Sequence, residues 1–287
     1  MKQIVVISGK GGTGKTVFTA SLAVLAESKV LADCDVDAAD LHLILKPVIV
    51  QTDNFVGGKA FEINRDICIK CGKCIQFCRF KAISADFIID PIFCEGCGLC
   101  KRICPVNAIS ESDRICGQSY ISNSKYGPFA HAKLDIAEGN SGKLVSKVRQ
   151  AAKKIALQKK LDYVIIDGTP GIGCALIASI AGVDLAVVVV EPTISGIHDM
   201  QRVLDVAAHF KVVSKVVINK FDINLENCAE IEEVCKIKGV EIIGRIPFSR
   251  QVSESIVKCI PMVEYVDMPI REKIIAIWEK IKIYTQM

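Results

Sequence analysis

No stretch of this chain is apolar for long enough to cross a bilayer. The longest runs, such as the one ending at Val190, are far shorter than the roughly 20 residues a spanning helix needs. A large net charge is missing as well. Lys and Arg number 36 against 32 Asp and Glu, a formal +4 over 287 residues, which does not by itself argue for nucleic acid. The opening MKQIVVISGK holds neither an apolar h-region nor a cleavage site, so a secretory signal is not expected. A secreted disulfide scaffold would be short and would carry one. The expectation is therefore a cytoplasmic protein in a reducing compartment, with membranes and nucleic acids not expected as partners. Residues 51% apolar and 24% charged suffice for an ordinary buried core, and the length suits one large α/β domain with room for a small module.

Short β-branched runs alternate with helix-length segments through most of the chain. Residues 4–8, 30–32, 163–166, 185–190, 213–218 and 240–246 read as strands. Continuous apolar strands alternating with helices predict an α/β fold, a mostly parallel sheet covered by helices on both faces. The rhythm stops between about residues 56 and 112. There the chain holds two gapless copies of one pattern at a period of 26, INRDICIKCGKCIQFCRFKAIS and IDPIFCEGCGLCKRICPVNAIS. The βα units resume afterwards, which predicts an insertion: a main domain of residues 1–58 and 116–287, and a small α+β domain of residues 59–115. Gly57-Gly58 and the loop-like residues 117–128 are the expected junctions.

Gly9-Lys10-Gly11-Gly12-Thr13-Gly14-Lys15-Thr16 is a full Walker A loop between a strand and a helix, the context the motif requires. Its glycines let backbone N–H groups close around phosphate oxygens, and the helix N-terminus adds a positive field. Lys15 is expected to reach the β- and γ-phosphates of ATP or ADP, and the Thr16 hydroxyl to sit on Mg²⁺.

Eight of the 14 cysteines fall between Cys68 and Cys104, and cysteines crowded together in a reducing compartment usually hold metal. Cys68, Cys71, Cys74 and Cys78 have C-x2-C-x2-C-x3-C spacing, and Cys94, Cys97, Cys100 and Cys104 repeat it, followed by Pro105. This is the run of a two-cluster bacterial ferredoxin, in which the fourth cysteine of each set ligates the other cluster. The expected [4Fe-4S] sites are then Cys68, Cys71, Cys74 and Cys104, and Cys78, Cys94, Cys97 and Cys100. Three thiolates on one tight loop suit a cubane, whereas zinc, the competing reading, usually takes two separated C-x2-C knuckles. Arg79 stands where proline is usual in the first copy. Nine basic against seven acidic side chains from Lys59 to Arg114 suit a partner with an acidic face.

The extra Lys10 makes the loop resemble the deviant Walker A of the MinD/ParA ATPases, relatives of the nitrogenase iron protein and the Mrp-type iron–sulfur carrier ATPases. That resemblance implies a nucleotide-dependent homodimer in which Lys10 reaches the partner's nucleotide. It also implies that Asp35, in the segment Asp33-Cys34-Asp35-Val36-Asp37, orients the attacking water near Mg²⁺ in switch I. Asp167 in Ile165-Ile166-Asp167-Gly168-Thr169-Pro170-Gly171 implies a Walker B carboxylate beside Mg²⁺, followed by switch II. Asn219 of Asn219-Lys220-Phe221-Asp222 implies an adenine contact. Lys10, Lys15, Asp35 and Asp167 are thus the implied catalytic set. Nearly the whole chain is similar to MinD-superfamily ATPases with an inserted ferredoxin domain. Asn140-Ser141-Gly142-Lys143-Leu144-Val145, Gly171-Ile172-Gly173-Cys174 and Glu191-Pro192-Thr193-Ile194-Ser195-Gly196 extend the resemblance. Thr169 and Ala175 replace prolines of the familiar family form.

The function this implies is an ATP-hydrolysing dimeric switch coupled to two [4Fe-4S] clusters, serving electron transfer to an unidentified redox partner or the assembly of a metallocluster on an acceptor. The alternative is a MinD/ParA-like positioning ATPase whose clusters are structural or sensory. Cys116 reads as a structural thiol, Cys174 as a small buried residue near a helix start, and Cys228 and Cys235 as core on one helical face. Seven basic and no acidic residues between Gly139 and Leu161 read as the wet side of an amphipathic helix. Ile274, Ile277, Trp278 and Ile281 read as a core-facing stripe rather than a membrane tail.

Overall fold

The structure is a computed structural model that describes residues 1–135, 138–139 and 141–286. The chain runs β1 (Lys2–Ser8), α1 (Lys15–Leu25), β2 (Lys29–Asp33), α2 (Leu41–Leu45) and β3 (Val48–Ile63). The short helices α3 (Lys73–Gln76) and α4 (Leu99–Arg102) follow, then β4 (Ile109–Ser124) and β5 (Gly127–Leu134). Next come α5 (Ser141–Lys159), β6 (Tyr163–Pro170), α6 (Cys174–Ile180), β7 (Leu185–Val190), α7 (Ile194–His209) and β8 (Ser214–Asn219). The last elements are α8 (Leu225–Ile237), β9 (Glu241–Ile246), α9 (Arg250–Val257), α10 (Met262–Tyr265) and α11 (Met268–Gln286). None of the described helices is long and apolar enough to cross a membrane.

The sheet order is β3-β4-β5-β2-β6-β1-β7-β8-β9. From β5 to β9 neighbouring strands pair in parallel, β1 lying between β6 and β7. This is the mostly parallel α/β sheet of a P-loop nucleoside triphosphatase. All six residues of β7 are buried, as are the last five of β1. Covered on both faces, such strands read as unbroken β-branched runs. Each buried Val or Ile contributes about 1.5–3 kcal/mol relative to its exposed state. Helix α11 closes one face with Ile274, Ile277, Trp278 and Ile281, all buried, as its spacing predicts. A Cβ on Gly244 of β9 would lie 2.2 Å from Ile277, so that close approach depends on glycine.

The chain divides into two compact units: residues 1–53, 119–133 and 141–287, and residues 54–118 with 134–140. Both expected junctions lie in strand, and the loop-like reading of residues 117–128 is corrected. Gly57-Gly58 lies within β3, and residues 117–128 form the end of β4, a two-residue turn and the start of β5. In β3 only Phe55, Gly57 and Ile63 are buried. With the other positions exposed or half-buried, hydrophobic periodicity leaves little trace there.

Within the second unit the period of 26 reappears as geometry. Left-handed backbone recurs at Lys70 and Gly96, at Gly72 and Gly98, and at Lys81 and Asn107. The N–H of Ala82 donates to Cys78 Sγ at 3.4 Å, and that of Ala108 to Cys104 Sγ at 3.3 Å. The repeats also exchange ends: Asn64 N–H donates to the Ala108 carbonyl at 2.8 Å, and Asp90 N–H to the Ala82 carbonyl at 2.7 Å. Each repeat opens against the close of the other, as two copies related by a pseudo-twofold must.

Candidate functional site

The loop from Gly9 to Gly14 leaves the buried strand β1 and enters α1 at Lys15. Gly12 and Gly14 have φ of 83° and 88°, where an L side chain costs about 1–2 kcal/mol. A Cβ on Gly9 would meet Asp199 at 2.4 Å, and one on Gly14 would meet Asn219 Nδ2 at 2.3 Å. Gly11 has open space around it.

Three of the four expected catalytic side chains converge. Lys15 Nζ lies 3.0 Å from Asp167 Oδ1 and 3.4 Å from Asp35 Oδ2. Thr16 Oγ1 donates to Asp167 Oδ2 at 2.7 Å. Burial disfavours the Lys15 ammonium, but Asp167, Asp35 and Asp33 outweigh it and raise its pKa. Burial pushes the carboxyls of Asp35 and Asp33 upward. Lys10 points elsewhere: its Nζ donates to Thr193 Oγ1 and Ser195 Oγ, both at 3.0 Å, at the start of α7. Asn219 donates to the Thr13 carbonyl at 2.8 Å, and so braces the phosphate loop from the end of β8.

Other participants carry no motif or, like Asp33 in the switch I segment, had no role assigned from sequence. Thr19, one turn into α1, donates to Asp167 Oδ1 at 2.9 Å. Asp33 accepts from the backbone N–H of Asp35 at 3.0 Å and of Leu41 at 3.3 Å, which shapes the turn after β2. Pro247 and Phe248 line a hollow of about 130 Å³ with Gly12, Gly14, Val17 and Asn219. It adjoins a larger hollow of about 450 Å³ bounded by the loop, Asp35 and Pro170. Thr13 Oγ1 and Thr169 Oγ1 are buried and have no hydrogen-bond partner among the described residues. Buried hydroxyls usually have partners, and Thr13 lines the larger hollow.

In the second unit Cys78 lines one cavity with Cys94, Cys97 and Cys100, walled by Phe61 and Ile83. Cys74 belongs to the small apolar cluster of Ile63, Ile83 and Ile109, and cysteines of both repeats, Cys68, Cys78, Cys100 and Cys104, pack against it. Burial pushes the Cys74 thiol up, with Cys68 and Cys71 adding to it, and does the same at Cys100 with Cys94 and Cys97. Cys71 and Cys97 are exposed. Among the described residues no group of three or more His, Cys, Asp or Glu is close enough to hold a single metal ion. Cys116 is buried, as are Cys228 and Cys235, but Cys174 is exposed at the start of α6, contrary to the buried position expected of it. Asn140, the first residue of one family-like segment, lies outside the described residues.

A parallel sheet with a complete phosphate loop and two acidic strand ends defines a P-loop nucleoside triphosphatase. The chain belongs to the CobQ/CobB/MinD/ParA nucleotide binding domain family, which matches residues 4–262. It is 38% identical to an uncharacterized protein of Methanocaldococcus jannaschii over 98% of this chain and 96% of the other. It is 26% identical to the septum site-determining protein MinD of Helicobacter pylori, over 91% of this chain and 83% of that one. MinD of Pyrococcus horikoshii, solved with Mg-ADP, superposes with a TM-score of 0.60 at 20% identity, covering 100% of this chain and 99% of that one. The protein is a MinD/ParA-family ATPase.

Proposed function

We propose that the chain is a nucleotide-dependent dimeric switch of the MinD/ParA kind whose second unit holds two [4Fe-4S] clusters in a sensory or structural role. The convergence of Lys15, Thr16, Asp35 and Asp167 carries the first half of this reading. Lys15 would leave its carboxylate partners for the β- and γ-phosphates. Asp35 would orient a water whose oxygen bonds to the γ-phosphorus as the bond to the β–γ bridging oxygen breaks, releasing ADP and phosphate. Thr16, Asp35 and Asp167 would hold Mg²⁺, which neutralises phosphate charge when bound. Loop amides from Gly9 to Thr16 would cradle the phosphates, and Asn219 with Pro247 and Phe248 would flank the adenine. Lys10 would leave Thr193 and Ser195 to reach the nucleotide of a second copy.

The exchange of ends between the two cysteine repeats supports the cluster half. It is the arrangement that crossed ligation requires, and Cys78 accordingly shares a cavity with Cys94, Cys97 and Cys100. A cubane binds each thiolate through a different iron, so its four ligands need not converge on one point. On this reading residues 59–115 are a ferredoxin-like domain inserted in the ATPase. The exposure of Cys71 and Cys97 favours a second reading, electron transfer or cluster delivery to a partner, as kinship with the nitrogenase iron protein and Mrp-type carriers would suggest. The two are separated by an anaerobic pull-down with ADP and with a non-hydrolysable ATP analogue. Capture of a redox protein or an apo-acceptor supports delivery. Analogue-dependent dimerisation without such capture supports the switch, and no response to nucleotide contradicts both.

A further inference from the structure

The two cysteine repeats share a backbone but differ in charge. The first, INRDICIKCGKCIQFCRFKAIS, holds Arg65, Lys70, Lys73, Arg79 and Lys81 against Asp66 alone. The second, IDPIFCEGCGLCKRICPVNAIS, holds Lys101 and Arg102 against Asp90 and Glu95. All five basic residues of the first repeat are exposed. Among the described residues none of the five forms an ion pair. The ion pairs of this unit lie elsewhere: Lys59 with Asp113 at 2.7 Å, Lys101 with Glu111 at 3.0 Å and Arg114 with Glu138 at 2.6 Å.

The asymmetry is sharpest beside the first cysteine of each repeat. Cys68 borders a hollow of about 540 Å³ with Arg65, Lys70, Asp86 and Ile88. Two unpaired cations stand there against one carboxylate. Cys94 borders a hollow of about 580 Å³ with Lys59, Glu95, Arg114 and Glu138. Both of its cations have a carboxylate of their own, and Glu95 adds a further negative charge. The first hollow is therefore net positive and the second is not. Ile67 and Ile69, on either side of Cys68, are exposed, as is Ile88. Apolar side chains inside a charged rim are the make-up of a small, transient protein interface. Phe93 beside Cys94 is exposed too, so charge rather than apolar area separates the two centres.

We propose that the surface around Cys68, with Arg65 and Lys70 on its rim, is the docking face for an acidic one-electron carrier protein. Electrons then enter or leave the chain at the centre of Cys68, Cys71, Cys74 and Cys104, not at that of Cys78, Cys94, Cys97 and Cys100. The inference rests on the cluster reading above, in its electron-transfer form, and adds a partner class and a choice between the centres. At ~0.1 M salt a charge acts over about 10 Å, so Arg65 and Lys70 draw carboxylates to the surface over Cys68 itself. One electron passes between carrier and centre, one oxidised as the other is reduced, with no bond made or broken. A nucleic acid would call for a longer row of cations than this hollow presents.

The test uses the anaerobic full-length chain, with flavodoxin, an acidic one-electron carrier, as the probe. Calorimetry gives its affinity for the oxidised chain, and stopped-flow absorbance gives the rate at which the reduced chain reduces it. Both are expected to fall as salt rises from about 0.05 to about 0.5 M. At the lower salt Lys70→Glu is expected to lower both about threefold, and Arg65→Glu with Lys70→Glu about tenfold. At the higher salt each variant is expected to lie within about twofold of the parent. Arg65→Lys with Lys70→Arg keeps both charges and the parental values. Arg79→Glu changes the charge by as much as Lys70→Glu, but beside Cys78, Cys94, Cys97 and Cys100. It is expected to alter either quantity by less than about twofold at the lower salt. Equal losses in Arg79→Glu and Lys70→Glu, or losses that persist at the higher salt, overturn the docking face. Binding of a DNA duplex that is lost in Lys70→Glu, with flavodoxin unaffected, gives the face to nucleic acid and overturns it too. About eight irons per chain with no salt-dependent affinity for flavodoxin overturns the docking face and leaves the cluster reading standing. Absence of iron overturns the cluster reading itself.

Discussion

The contact between Lys15 and Asp167 has a consequence for stability that can be separated from its role in binding. The two groups are 3.0 Å apart and 6% and 1% exposed. Removing one member of such a pair leaves the other charge buried, which typically costs about 3–5 kcal/mol. Both single variants should fall near the lower end. In Asp167→Asn the ammonium keeps Asp35 at 3.4 Å, and in Lys15→Met the carboxylate keeps the hydroxyls of Thr16 and Thr19. Each should therefore lose about 3 kcal/mol. The double variant leaves neither charge behind and should lose about the same, not twice as much, giving a coupling of ~3 kcal/mol. Urea unfolding followed by far-UV circular dichroism, in EDTA and without nucleotide, measures it. Losses that add to within about 0.5 kcal/mol would refute the claim that these two charges depend on each other.

The proposed crossed ligation predicts that Cys78→Ser damages the centre of Cys94, Cys97 and Cys100, while Cys104→Ser damages that of Cys68, Cys71 and Cys74, as resolved by EPR of each variant. His131 lies 2.9 Å from Ser122 Oγ and stacks on Phe129 at 4.5 Å, and burial pushes its pKa down to about 4. An unfolded histidine titrates near 6.5, so the unfolded chain binds more protons between those values, and stability falls as pH falls through that window. The loss from about pH 7 to about pH 5 should be on the order of 2 kcal/mol, and His131→Phe should remove it, as urea midpoints at the two pH values will show. Lys10→Ala should bind nucleotide yet fail to dimerise with the ATP analogue in light scattering; parental dimerisation would end the trans-lysine reading.

What was legible in the sequence is what a short contiguous segment encodes. The phosphate loop is backbone chemistry written in eight consecutive residues, and the cysteine repeats show as fixed short spacings at a period of 26. The buried parallel strands show as apolar runs because both of their faces are covered. Strands β3 and β4 escaped because most of their positions face water, so no such run forms. Thr19, Pro247 and Phe248 reach the hollows beside the phosphate loop or the Asp167 carboxylate by folding alone, each as a common residue in an unremarked place. Cys174 was expected to be buried because small residues near helix starts often are; its exposure comes from its place at the first residue of α6.

The central claim is that an ATPase of this family carries two four-iron centres in one chain. Iron and acid-labile sulfide determined on anaerobically purified protein, with EPR after reduction, test it most directly. The account predicts about eight irons and eight sulfides per chain and [4Fe-4S] signals. Stoichiometric zinc without iron would contradict it.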